Sequence, residues 1–236
     1  MPSDDEVAIQ RAYYKTTAQG YDAGHVHERD EHYFALRFLA AAIEHHGITS
    51  ILDVGAGTGR VAHYLKAKHP ALRIVSVEPV KELRDVGHAK GLTEAELIEG
   101  DATRLQFADG AFDLVCEFGI LHHVRHPETV IAEMMRVAKV GIFISDSNNF
   151  GQGSSLSRAV KQLLDALGLW RVADRIKTKG KGYQITEGDG LAYSYSVFNN
   201  YAQIARACRT HILNTEPAGI NPYRTAPHIA LLGIKK

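Results

Sequence analysis

Three glycines at alternate positions, Gly55, Gly57 and Gly59, with Ala56 and Thr58 between them, follow the apolar run Ile51–Val54 and open onto a helix-like segment. Glycine enters left-handed backbone without steric cost and lets a ligand approach with no Cβ in the way. Such a turn leaves backbone amides open at a helix N-terminus, where unpaired N–H groups and the helix dipole favour an anion such as a carboxylate. Acids recur at the ends of three successive apolar runs: Asp53 just before the turn, Glu78 before Pro79, and Asp101 before Ala102. An acid before the turn can take hydrogen bonds from its amides or, through water, from a ligand ammonium. One at the end of the second strand of an open α/β sheet is placed for a pair of ribose hydroxyls. Singly these acids read as a helix cap, a surface acid and an Asx-turn residue. Jointly, at neighbouring strand ends, they converge on one crevice. His122 and His123 follow the fourth run, and imidazole takes a proton near neutral pH with little tuning.

The elements that must position these groups follow from patterning. The runs SILDVG, RIVSVEP, ELIEGD and FDLVCEFG, and a fifth, KVGIFISDSN, alternate with helix-like segments. That alternation predicts crossover connections and a parallel sheet buried on both faces. Helices are predicted from Gly59 to Lys68, ending at His69–Pro70, and from Pro127 to Ala138, opening on proline. Val130, Ile131, Met134, Met135 and Val137 form a helical stripe that reads as core. Beyond Asn149 the alternation stops. FGQGSS leads to a helical stretch from Leu156 to Ile176, then to turn-like KTKGKGY and EGDG, and then to LAYSYSVF, where Leu191, Tyr193, Tyr195 and Val197 share one face of an extended segment. A final helix, Asn199 to Arg209, precedes HILNTEP and HIALLGIKK, two strand-like runs suited to antiparallel pairing at the sheet edge.

The ordered set ILDVGAGTGR, Val77–Glu78, Gly100–Asp101–Ala102 and FDLVCEFGILHHV resembles the class I S-adenosylmethionine-dependent methyltransferases, and among them the small-molecule group typified by ubiquinone and menaquinone C-methyltransferases. The resemblance is specific from about 48 to 148. It implies a Rossmann-like seven-stranded, mostly parallel sheet with helices on both faces and an antiparallel final strand. It also implies one methyltransferase domain over 1–236: an N-terminal helical cover over 1–47, a cofactor-binding core over 48–148, an insertion over 149–198 that shapes the acceptor pocket, and a final helix and strands over 199–236. In that family the glycine turn takes the methionyl carboxylate, the acid at Asp101 accepts from the adenine amino group while the Ala102 amide meets the ring, and the stretch from Glu117 and Phe118 to Val124 passes beside the sulfonium and the acceptor. The tyrosine before the aspartate in AYYKTTAQGYD, Tyr21, closes over the cofactor. The expected cofactor is S-adenosyl-L-methionine, and the expected partner is a small-molecule acceptor methylated at oxygen, nitrogen or carbon, with SDSNNFGQG and GDGLAYSYSVFNNY suggesting sugar or secondary-metabolite chemistry.

Methyl transfer from a sulfonium is an in-line displacement in which positioning supplies much of the acceleration, and a hydroxyl or protonated amine must also lose a proton. His122 and His123 are the candidate bases; their alternative is a role in packing. His126, before Pro127, reads as a turn residue. Tyr13, Tyr14, Tyr21, Tyr193 and Tyr195 suit either an acceptor cavity or the core. Nicotinamide enzymes compete for the glycine turn, but their G-x-G-x-x-G spacing would put the third glycine at Arg60. A non-catalytic module that binds S-adenosylmethionine is the other alternative. His25, His27 and His32 lie close in sequence without a cysteine or carboxylate at a recognised ligand spacing, so no metal is expected.

With 27 Lys+Arg against 27 Asp+Glu, no overall field draws the chain to nucleic acid or an anionic membrane. The basic run Arg171, Arg175, Lys177, Lys179 and Lys181 lacks interleaved aromatics and reads as a solvated face. The acidic start MPSDDEVAIQ, the absence of an apolar run near the roughly 20 residues of a bilayer span, and only two cysteines, Cys116 and Cys208, lead us to expect a cytoplasmic protein with no membrane partner. Nothing in the pattern sets a subunit number.

Overall fold

The computed structural model describes residues 4–186 and 188–236, with backbone alone for Asp4 and Asp5. Glu187 of the turn-like EGDG and the first three residues of the acidic start lie outside the described residues. The cover consists of α1 (Asp4–Thr17), α2 (Tyr21–His25) and α3 (Glu31–His46). α3 begins where Asp30 accepts the Tyr33 N–H and ends at Gly47 in left-handed backbone, φ 62°. The core follows as β1 (Ser50–Val54), α4 (Arg60–Lys68), β2 (Arg73–Val77), α5 (Lys81–Ala89), β3 (Leu97–Ile98), β4 (Phe112–Phe118), α6 (Pro127–Val137) and β5 (Ala138–Ser147). Then come α7 (Ser155–Ala166), α8 (Trp170–Lys177), the hairpin β6 (Tyr183–Thr186) and β7 (Gly190–Tyr193), α9 (Tyr201–Ala207), β8 (Cys208–Asn214), α10 (Pro222–Thr225) and β9 (His228–Lys235).

The main sheet has seven strands in the order β3-β2-β1-β4-β5-β9-β8. β9 alone runs antiparallel, paired with β5 on one side and β8 on the other. Because side chains alternate across a strand, each strand feeds both faces. Leu52, Ile142 and Leu231 join α6 and α9 in one core, while Ile51, Phe143 and Leu232 meet α3 and α4 in the other. The strand ends that carry Asp53, Glu78 and Glu117 therefore share one rim of the sheet, with β1 central between β2 and β4.

The insertion departs from the sequence pattern in two places. The single helix expected from Leu156 to Ile176 is two, broken where Gly168 turns to φ 71° and the Leu169 amide reaches back to the Leu164 carbonyl. Leu156, Leu163, Leu167 and Ile176 on this helix pair stand exposed, as does the basic run from Arg171 to Lys181. The face from Leu191 to Val197 is strand only to Tyr193. It pairs with Tyr183–Thr186, a strand the pattern did not show, in a separate two-stranded sheet. The last helix is also shorter than expected: a 3-10 turn at Val197–Asn200 precedes α9, and β8 begins already at Cys208.

Candidate functional site

At the end of β1 the chain turns through Gly55 at φ 70° and Gly57 at φ 57°. A Cβ on Gly55 would lie 2.3 Å from Ile120 Cγ2, and one on Gly57 3.0 Å from the Tyr21 hydroxyl. Glycine is thus required here twice over, by backbone hand and by close approach. The turn amides are not open, as the sequence suggested. Gly55 and Ala56 both donate to the Val77 carbonyl, at 2.8 and 3.1 Å, and Gly57 donates to Glu78 Oε2 at 2.9 Å. The reason is the adjacent parallel strand, whose last carbonyl and following acid satisfy these donors from below. Glu78 Oε1 also takes the Val80 N–H at 2.9 Å, so this buried acid braces the turn and the Pro79 corner together. Burial pushes its carboxyl up, against those two backbone bonds. Each carboxylate oxygen keeps a second lone pair for a further donor.

Asp53 does not bond the turn. Its partners are Ser76 Oγ at 3.5 Å and Cys116 Sγ at 3.8 Å, both at the outer limit of hydrogen bonding, and it is 1% exposed. Burial drives its carboxyl up to about 7, with Arg60 opposing and Glu78 adding to the rise. Arg60, the residue in the third-glycine position of a nicotinamide fingerprint, pairs with Asp30 at 3.1 Å. Asp101 forms an Asx turn with the Thr103 amide and hydroxyl at 2.8 and 2.6 Å, and Arg11 of α1 reaches it at 3.2 Å. Ala102 beside it packs half-buried against the core. Tyr21 stacks on His25, centroids 4.5 Å apart, and lies over the turn. Burial pushes its hydroxyl up to about 12.

Glu117, buried at the end of β4, accepts the Ile120 and Ser145 amides at 3.0 and 3.1 Å. Burial, then the charge of Asp146, holds its carboxyl well above the usual range. Phe118 packs between His32 and Phe143. The two adjacent histidines sit in opposite environments. His122 Nδ1 is 2.7 Å from Asp146 and its Nε2 3.2 Å from Asp189. Burial opposes its charge, but the two carboxylates outweigh that and hold the imidazole well above its ordinary range; it is an imidazolium. Asp146 also takes the Leu121 and Ser147 amides. For His123, burial and then the His122 charge push the imidazole down, leaving it neutral. Its Nδ1 lies between the Leu191 carbonyl at 2.7 Å and the Gln10 amide nitrogen at 3.1 Å, and its Nε2 between the Tyr14 hydroxyl at 3.0 Å and Asp189 Oδ1 at 3.3 Å. Gln10 clamps the same place, accepting the Leu191 N–H at 2.5 Å and donating to the Asp189 carbonyl at 3.3 Å.

A cavity of about 450 Å³ adjoins the pair, walled by Tyr14, Tyr21, His32, Phe118, Gly119, His122, His123, Asp189, Tyr193, Glu216 and His228. Of the tyrosines considered from sequence, Tyr14, Tyr21 and Tyr193 line it. Tyr195 is core, and Tyr13 packs over Gly190, whose Cβ would lie 2.7 Å from the Tyr13 ring. His126 does not join the site; it pairs with Glu128 at 3.0 Å in the exposed turn before α6. The trio His25, His27 and His32 is not a cluster. His25 is taken by the Tyr21 and Gly188 carbonyls, at 3.0 and 2.8 Å, and His32 faces His228 instead. Asp146, Asp189, Gln10 and His228 were missed as site residues, although SDSNNFGQG and GDGLAYSYSVFNNY, which contain the two acids, stood out as motifs.

Residues 52–144 match the sequence profile of a methyltransferase domain. Demethylmenaquinone methyltransferase of Deinococcus radiodurans is 36% identical over 109 residues, 44% of this chain and 45% of that protein. Norajmaline N-methyltransferase of Rauvolfia serpentina is 36% identical over 97 residues, 39% of this chain and 33% of that one. The chain thus spans less than half the length of these curated relatives. The crystal structure of magnesium protoporphyrin IX methyltransferase from Synechocystis PCC 6803 with bound SAH superposes with a TM-score of 0.61 at 14% identity, covering 99% of this chain and 100% of that one, a likeness of fold. Among the described residues no helix is long and apolar enough to cross a membrane.

Proposed function

We propose that this chain is an S-adenosyl-L-methionine-dependent methyltransferase acting on a small molecule held in the 450 Å³ cavity. The observation that carries the reading is the shared rim: a glycine turn and three acids at successive strand ends, next to a cavity with one neutral and one charged histidine. Asp53, buried with only two long contacts, suits an ammonium, because a buried polar group without good partners calls for one from a ligand. Glu78 and Asp101 suit the ribose and the adenine, and Tyr21 the cover. Bound there, the cofactor would supply the methyl group, and the His123 imidazole would take the proton that the acceptor loses. The His122 imidazolium supplies fixed positive charge toward the negative charge that builds on an acceptor oxygen. The acceptor is of the sugar or secondary-metabolite kind. Both cysteines are free and buried, which supports a cytoplasmic setting.

Calorimetry with S-adenosylhomocysteine tests this. Micromolar binding that Gly57→Val and Asp101→Ala each weaken at least tenfold is expected. Thermal protection by a nicotinamide dinucleotide in place of the sulfur nucleoside would overturn the reading, and so would unchanged affinity in both variants.

A further inference from the structure

One wall of the cavity carries a group of side chains that methyl transfer does not use. His32, on the first turn of α3, and His228, on the first residue of β9, are far apart in sequence and meet edge to face with ring centroids 4.7 Å apart. Each is anchored through Nδ1 by a hydroxyl: His32 by Ser145 Oγ at 3.2 Å and His228 by Thr215 Oγ1 at 2.6 Å. The nitrogen left for a ligand is Nε2 in both. His228 is 7% exposed, and its Nε2 is buried with no hydrogen-bond partner among the described residues. Glu31 adds a carboxylate, and one ligand atom from each of Glu31, His32 and His228 lies within 4.8 Å of the others. Glu216 lines the same cavity.

His228 Nε2, a buried polar atom left without a partner among the described residues, calls for one from a ligand, and the carboxylate beside it favours a positive one. Metal-binding histidines are oriented by a bond at the other ring nitrogen, and both rings here have one. A second group of similar composition, His122 with His123 and Asp189, lacks this character. There the acids face an imidazolium, and both His122 nitrogens are already bonded.

We propose that His32 Nε2, His228 Nε2 and the Glu31 carboxylate form a binding site for one divalent first-row transition-metal ion in the wall of the cavity, with Glu216 beside it. Two imidazoles and one carboxylate favour such an ion over magnesium or calcium, which prefer all-oxygen sites. Three protein ligands leave coordination open toward the cavity, where an oxygen or nitrogen of the acceptor completes the shell. That last clause rests on the methyltransferase reading; metal capture itself does not.

The test uses the full chain, freed of metal and titrated with Co(II), whose visible absorption reports nitrogen and oxygen coordination, and with Zn(II) by calorimetry. One equivalent per chain is expected, with magnesium failing to compete at a hundredfold excess. His228→Gln and His32→Gln should each weaken binding at least a hundredfold, and Thr215→Val, which removes only the anchor of His228, by about 10–100-fold. S-adenosylhomocysteine affinity, measured on the same samples, monitors folding and separates failure of the metal site from failure of the cofactor reading. Variants that keep cofactor affinity but lose metal support the site. No stoichiometric uptake by the wild type would overturn it, as would uptake that survives both histidine substitutions or is lost only with His122→Ala.

Discussion

Replacing Asp146 by asparagine removes one charge from a pair that is almost wholly out of water: the His122 side chain is 16% exposed and that of Asp146 0%. At their 2.7 Å separation the gross attraction is about 6 kcal/mol with an effective dielectric constant near 20. Desolvation opposes that figure, but the substitution leaves an imidazolium buried beside a neutral amide, and removing one partner of such a pair costs about 3–5 kcal/mol. The asparagine NH2 also faces the Leu121 N–H or the imidazole, so one donor loses its acceptor. For a chain of this size the loss corresponds to a fall in Tm of roughly 6–20 °C. The pH dependence follows from the directions of the two shifts. Asp146 is held below its ordinary 3.8, so its contribution is present above that value and lost as pH falls through its folded value. His122 is held well above its ordinary 6.5, so its contribution is complete below 6.5 and lost only as pH rises through its higher folded value. The deficit of Asp146→Asn against wild type is therefore largest near pH 5–6.5 and shrinks toward pH 9 and toward pH 3. Urea unfolding of both proteins across that range measures it. A deficit under about 0.5 kcal/mol at pH 6, or one equal at pH 6 and pH 9, would refute the charged pair.

Two more outcomes follow from the same geometry. Gly55→Ala should lose about 1–3 kcal/mol in chemical denaturation, because its Cβ would meet Ile120 Cγ2 at 2.3 Å in backbone of φ 70°; wild-type stability would mean that the turn is not so confined. With an acceptor in hand, His123→Gln should lower single-turnover methylation about 10²-fold, and the acid limb of wild-type kcat/KM should fall below pH 6.5, since burial and His122 push His123 down. A limb above pH 7, or an unchanged rate, would remove His123 as the base.

The core strands were legible because each is a short apolar run ending in an acid or a glycine, and a sheet covered on both faces buries such runs almost continuously, as in β1 and β4. β3 is the weakest case, and only two of its residues pair. The cofactor rim was legible as residues and illegible as bonds. Nothing in ILDVGAGTGR shows that the Val77 carbonyl and Glu78 will consume the turn amides, since that depends on a strand 20 or so positions on. His122 and His123 are identical as letters. Their opposite shifts come from Asp146, which bonds His122 and not His123 from the end of β5, and sequence distance hides it. The motif SDSNNFGQG has a structural cause that only the fold displays: Asn148 Nδ2 donates to the Pro222, Tyr223 and Ala226 carbonyls, and a Cβ on Gly151 would strike the Ala226 oxygen. The helix pair α7–α8 was read as one element because Gly168 lies within an otherwise continuous apolar period.

The hydrogen-bond partners of the His123 ring come from outside the stretch that matches the methyltransferase profile: Tyr14 and Gln10 from the cover, Asp189 and Leu191 from the hairpin. The space beside the glycine turn, between Tyr21, Asp53, Gly55 and Arg60, is about 10 Å³, whereas ligand sites measure roughly 300–1,000 Å³. Tyr21 fills the approach to that turn. Tyr21 packs edge-on against Tyr14, which bonds His123, so lifting α2 disturbs the support of the base as well. Under the proposed function, the cover meets both parts of the site, Tyr21 at the glycine turn and Tyr14 and Gln10 at His123.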